Sequence, residues 1–121
     1  MVKRYGRRDK HEMRAQQIWP ILISLAHNRQ IITYKRLAYL VGIGGPGVLG
    51  KGPLDRIANY CIQNDLPPLT SLVVNEKTGL PGNGIPVKKA ATQREVVFNN
   101  PWFKIVAPTP DQLHEAHLNA K

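Results

Sequence analysis

The side chains able to do chemistry in this chain are few, and each lacks the partners its chemistry needs. Cys61 is the single cysteine, so nucleophilic attack or thiolate coordination would fall on it alone. It lies in register with Leu54, Ile57, Ala58 and Ile62, and no histidine is near it in sequence. An apolar setting disfavours a thiolate, so Cys61 is expected to be a small core residue. His114 and His117 stand three apart with Glu115 between them, which puts both imidazoles on one helix face. They lack a third ligand, and Glu115 is not placed as in H-E-x-x-H. A solvated terminal helix is expected there, with no metal. Gly42, Gly44 and Gly47 satisfy G-x-G-x-x-G, and Gly45 to Lys51 satisfies G-x-x-x-x-G-K. Both motifs cradle phosphates only between a strand and a helix. Here a helix is expected to precede them, and Gly52 stands where a Walker loop needs Ser or Thr. Nucleotide hydrolysis and dinucleotide binding are therefore not expected, and no cofactor is implied. The stretch reads as a long flexible turn whose backbone N–H groups, with Lys51, can meet a phosphate.

Hydrogen-bonding chemistry has better candidates. Arg56, Asn59 and Gln63 lie along one side of an amphipathic segment, opposite its apolar residues. Arg pairs with guanine, and Asn and Gln with adenine. The charge distribution supports a polyanionic partner. The 121 residues carry a formal net charge of +9, which makes a phosphate backbone the default partner. No Asp or Glu occurs between Met13 and Leu54, where Arg14, Arg29, Lys35, Arg36 and Lys51 lie. Lys3, Arg4, Arg7, Arg8 and Lys10 add to this at the N-terminus against Asp9 and Glu12. Trp19, Trp102 and Phe103 are candidates for stacking on bases, although core packing is the ordinary role of such aromatics. With one cysteine no internal disulfide can form, no stretch reaches transmembrane length, and a cytoplasmic location is expected.

The elements that must position these residues follow from periodicity. Residues 1–10 read as a basic flexible arm and 11–121 as a single domain, the apolar fraction of 42% sufficing for one core. Ala15, Ile18, Leu22, Leu25 and Ala26 give helical spacing from His11 to His27, with Pro20 expected to kink or restart the helix. Thr33 is an N-cap for a second helix, with Ile32 and Leu37 spaced as a hydrophobic staple. Leu37, Leu40 and Val41 are expected to face the core, and the helix ends by Gly42. In the third helix, Leu54, Ile57, Ala58, Cys61 and Ile62 form one apolar face behind Gly52 and Pro53. Leu69 to Val74 reads as a strand and Asn75 to Pro86 as a loop or hairpin tip. Val87 to Phe98 reads as a helix, Pro101 to Val106 as a segment packing back on the core, and Thr109 with Gln112 as the cap of a final helix. Three helices, a strand and a glycine-rich tip are ordered as in a winged helix-turn-helix. The fold class is thus α+β, mainly α, with additional C-terminal helices.

Ile32-Thr33-Tyr34-Lys35-Arg36-Leu37-Ala38 is similar to an I-[ST]-Y-x-x-L-A helix start, and Leu66-Pro67-Pro68-Leu69 to an N-P-x-P turn. Val73-Val74, Gly79-Leu80 and Gly82 are similar to a V-V…G-x-L-x-G wing segment. On these pieces, residues 31–84 resemble the winged-helix DNA-binding domain of the alkylguanine-DNA alkyltransferases and alkyltransferase-like proteins. The resemblance covers under half of the chain. It implies duplex DNA as partner, with Tyr34 near phosphate. The departures bear on the chemistry. Where the alkyltransferases carry Pro-Cys-His-Arg, this chain reads Thr70-Ser71-Leu72-Val73-Val74. The acceptor cysteine is missing, the link from Gly42 to Leu66 is longer, and the family's arginine finger has no clear counterpart. The same block, with Tyr60-Cys61, also resembles a small domain that accompanies HNH-type nucleases, but no H-N-H pattern is present.

These readings converge on a non-enzymatic DNA-binding module. Its expected contacts are Thr33, Tyr34, Lys35, Arg36 and Lys51 on phosphates, Arg56, Asn59 and Gln63 on bases, Asn75 and Lys77 on flanking backbone, and Arg4, Arg7 and Arg8 in the arm. The rival is an interaction protein of the anti-restriction or host-takeover type, using the same fold on a protein or RNA partner.

Overall fold

The computed structural model describes residues 1–6, 9–80 and 87–120. It is mainly helical, with one two-stranded sheet among the described residues. Helix α1 (His11–His27) buries Arg14, Ala15, Ile18, Trp19, Leu22, Ile23 and Ala26, the stripe that its spacing requires. Pro20 neither ends nor restarts α1, which is one continuous helix. Pro20 and Gln16 are both exposed, so water can serve the Gln16 carbonyl that proline leaves without a donor.

The short strand β1 (Ile32–Thr33) leads directly into α2 (Tyr34–Val41). The Thr33 hydroxyl accepts from the Arg36 N–H at 3.0 Å, and Ile32 and Leu37 are both buried as a staple requires. Gly42 ends α2 with φ of +72°, a conformation that favours glycine. Leu40 is largely exposed rather than in the core.

The expected flexible turn after Gly42 is partly ordered. It contains α3 (Gly47–Lys51), anchored by the fully buried Leu49. Helix α4 (Pro53–Gln63) follows at once, with Gly52 as N-cap and Pro53 at its first position. Leu54, Ile57 and Cys61 are buried, but Ile62 is 72% exposed. At about 100° per residue, Ile62 falls about 80° from Leu54, at the margin of the stripe.

The expected strand from Leu69 is mostly a 3-10 turn (Leu69–Leu72), and only β2 (Val73–Val74) is extended. β2 pairs with β1 in parallel, Ile32 opposite Val73 and Thr33 opposite Val74. Beyond it, residues 75–80 close a turn. The Asn75 carbonyl accepts from the Gly79 N–H, and the Asn75 N–H donates to the Leu80 carbonyl, both at 2.8 Å. The rest of the expected tip, residues 81–86, lies outside the described residues.

Helix α5 (Val87–Asn99) and a 3-10 turn (Trp102–Lys104) return the chain to the core. Trp102 is buried edge-on to Trp19, their ring centroids 6.0 Å apart, and its indole N–H donates to the Val97 carbonyl at 2.7 Å. Of the segment that follows, Ile105 packs against the core while Val106 is exposed. Helix α6 (Pro110–Leu118) begins with the expected capping box of Thr109 and Gln112 and buries Leu113 and Ala116. It packs on α1 and α4 together.

Candidate nucleic-acid interface

The parallel register fixes the geometry of a cleft beside the sheet. Because Thr33 is opposite Val74 in a parallel pair, the next residues along, Tyr34 and Asn75, leave the sheet at the same end. Tyr34 begins α2 and Asn75 begins the turn. Helix α3 supplies a third wall. The cleft has a volume of about 550 Å³, and Tyr34, Lys35, Gly47, Gly50, Asn75 and Lys77 are among its lining residues. Gly47 and Gly50 are three apart and so share a face of α3. No heavy atom stands within 4 Å of where their Cβ atoms would be, so the α3 backbone is open to a ligand. In the turn, the Asn75 Oδ1 accepts from the Lys77 N–H at 2.8 Å and holds its shape.

The cations of the acid-free stretch divide into two groups. Arg14 is buried, and its guanidinium donates to the carbonyls of Val41 and Gly6 and to Gln17 Oε1. Arg29 is paired with Glu95 and lies over the Phe98 ring. The Arg29 guanidinium holds the Glu95 carboxyl below its ordinary range. Lys35, Arg36 and Lys51 are exposed and make no ion pair among the described residues. Lys35 lines the cleft, Arg36 lies over the Tyr39 ring at 5.4 Å, and Lys51 is at the end of α3. Thr33 uses its hydroxyl as the α2 cap. Glu76, which the sequence reading did not weigh, puts one carboxylate in the same cleft.

Arg56, Asn59 and Gln63 do not form an open reading face. Arg56 is 7% exposed, donates to the Gly52 carbonyl at 3.1 Å, and lies 4.0 Å from the Glu12 carboxylate. It cannot reach a base edge. Asn59 donates to the Asp55 carbonyl at 2.9 Å. Gln63 donates to the Ala116 carbonyl of α6 at 2.8 Å. Of the three, Arg56 is buried, Asn59 is half-buried, and Gln63 is exposed although bonded to α6. His114 lies 3.8 Å from Glu12, and His117 lies 3.6 Å from Asp55. Both histidines stand at the contact of α6 with its neighbours, the His117 Nδ1 without a hydrogen-bond partner among the described residues; no cluster of described residues suited to a metal occurs.

In the arm, Arg4 is exposed, Tyr5 reaches Gln16 at 3.3 Å, and the Gly6 carbonyl accepts from Arg14. Arg7 and Arg8 lie outside the described residues. Burial pushes the Cys61 thiol up to about 11, against a smaller opposing effect of a backbone hydrogen bond with Leu69, so no thiolate is available near neutrality. No helix among the described residues is long and apolar enough to cross a membrane. The chain matches no protein-family model, no curated protein and no solved structure.

Proposed function

We propose that this protein is a non-enzymatic duplex-DNA-binding module of winged-helix type that grips the phosphate backbone through the cleft between α2, α3 and the turn after β2. The observation that carries the reading is the convergence of Tyr34 and Lys35 with Asn75 and Lys77, about forty residues apart in sequence, beside an α3 face bare of side chains. Arg36 and Lys51 extend the basic surface on either side. Phosphate contacts fix position and supply most of the affinity, whereas base contacts specify sequence. With the polar groups of α4 engaged internally, the module binds duplex with little sequence preference.

The test is titration of a mixed-sequence duplex across a range of salt. Neutralising about four to five phosphates gives a slope of log affinity against log salt near −4. A slope flatter than about −2 overturns the phosphate-gripping cleft.

A further inference from the structure

At the meeting of α1, α5 and the Trp102–Lys104 turn, a cavity of about 140 Å³ is lined by His27, Phe98, Asn100, Trp102, Phe103 and Lys104, among others. It is separate from the cleft and shares no lining residue with it. Three of its features bear on what it can hold. Phe103 is 66% exposed, although its neighbour Trp102 is buried and fixed by its bond to Val97. His27 meets Phe103 edge-on, ring centroids 5.0 Å apart at 70°, so the two rings form a corner rather than a closed stack. The Asn100 amide nitrogen is buried and has no acceptor among the described residues.

We propose that this corner holds one unpaired nucleobase of a single-stranded nucleic acid. The volume is well below the roughly 300 Å³ at which pockets for whole small molecules begin, so it suits a single ring. An unpaired base needs an aromatic face for stacking and a polar partner for its edge. Phe103 supplies the first, and the exposed His27 imidazole beside it can supply the second. The occupant's charge is set by the surroundings. Arg29, which lies over Phe98, is neutralised by Glu95. Lys104, exposed and without an ion pair among the described residues, is left to meet the phosphate attached to the base. A neutral apolar side chain would leave Lys104 unused.

The site is tested with a fluorescent oligo(dT) strand of about ten nucleotides, followed by anisotropy at about 0.3 M salt, where long-range attraction is screened. Oligo(rU) of equal length distinguishes DNA from RNA as the source of the base. The wild type binds the strand. Phe103→Ala weakens it at least about fivefold, the lower bound for one lost stacking contact, while Phe103→Tyr retains it. An abasic strand of the same length binds as weakly as Phe103→Ala binds oligo(dT). Equal affinity of wild type and Phe103→Ala, or of the abasic strand and oligo(dT), overturns the base site. So does Phe103-dependent capture of an aromatic peptide without any of the strand. Because Phe103 is not in the cleft, Phe103→Ala leaves duplex affinity within about twofold of wild type. Failure of duplex binding with Phe103-dependent strand binding intact removes the duplex reading alone.

Discussion

The polar face of α4 and the cleft between α2, α3 and the turn carry the same kinds of side chain, yet the fold uses them in opposite ways. On α4, Arg56, Asn59 and Gln63 each have an acceptor within the protein. In the cleft, Lys35 and Lys77 make no ion pair among the described residues, and the α3 backbone beside them is open. A surface is free to recognise a partner only where its hydrogen-bonding capacity is unspent. The difference arises mostly within α4 itself: Arg56 and Asn59 donate to carbonyls one turn back, and only Gln63 donates to α6.

The largest expected effect is on the α4 side. Arg56→Met keeps the packing of the stem but strands Glu12, whose side chain is 15% exposed. Removing one partner of a buried pair costs about 3–5 kcal/mol. The 4.0 Å separation reduces this to about 2–3 kcal/mol. Chemical denaturation reads the loss, and duplex affinity at a temperature where the variant is folded stays at the wild-type value. A folded variant of unchanged stability that binds a preferred site less well would return Arg56 to base recognition.

Much of this contrast was invisible in one dimension for a definite reason. Local signals gave α1, the Thr33 cap, the Gly52-Pro53 start of α4 and the Thr109–Gln112 box, because each is written within a few residues. Tyr34, Lys35, Asn75 and Lys77 were legible as residue types and as positions in a resemblance. Their meeting depended on the Thr33–Val74 register, which no periodicity announces in two-residue strands. The burial of Arg56 was not legible at all. On the helix wheel it lies about 200° from Leu54, and its approach to Glu12 of α1, some forty residues earlier, is set by tertiary packing alone. Leu49, apolar within a glycine-rich run, was the available signal that the turn carries an ordered α3.

Cys61 gives the next effect, and it checks that the core under α4 is structural. Cys61→Ser lowers stability by about 1–2 kcal/mol, since it puts a hydroxyl into an apolar site, and leaves duplex binding unchanged. The pH dependence has a definite sign. The unfolded thiol loses its proton near pH 8.5, whereas the folded one holds it up to about 11. Between these values the native state binds more protons than the unfolded state, so stability falls as pH rises. The decline is about 1.4 kcal/mol per pH unit from this group. Cys61→Ser removes that component, which appears as a shallower alkaline stability profile than the wild type's. An identical profile in the two proteins would contradict the burial of the thiol.

On the cleft side the effects fall on affinity. Lys35→Ala and Lys77→Ala each reduce the magnitude of the salt slope by about one, and their effects on mixed and selected duplex are equal, as for lost phosphate contacts. Both side chains are exposed, so stability changes by no more than about 0.5 kcal/mol. A loss confined to one sequence would show that the cleft reads bases and that the division drawn here between the two regions is wrong.

The smallest expected effect separates the regions most cleanly. Asn59→Ala removes a hydrogen bond to the Asp55 carbonyl one turn earlier in the same helix, where a local bond contributes about 0.5–1.5 kcal/mol. Alanine returns up to about 0.7 kcal/mol of helix propensity, and the helix's own backbone bonds persist. Stability should therefore change by less than about 1 kcal/mol. Affinity for every duplex should be unaltered, because the Asn59 amide is spent within α4 and α6 packs against that helix. A bidentate contact to adenine would instead cost about 1–3 kcal/mol on sites with that base and nothing elsewhere. Parallel titrations of Asn59→Ala on a selected site and on mixed duplex resolve differences well below that range. Site-specific loss would mean that Asn59 gives up its bond to Asp55 when DNA binds, and that the polar face of α4 is the reading surface after all.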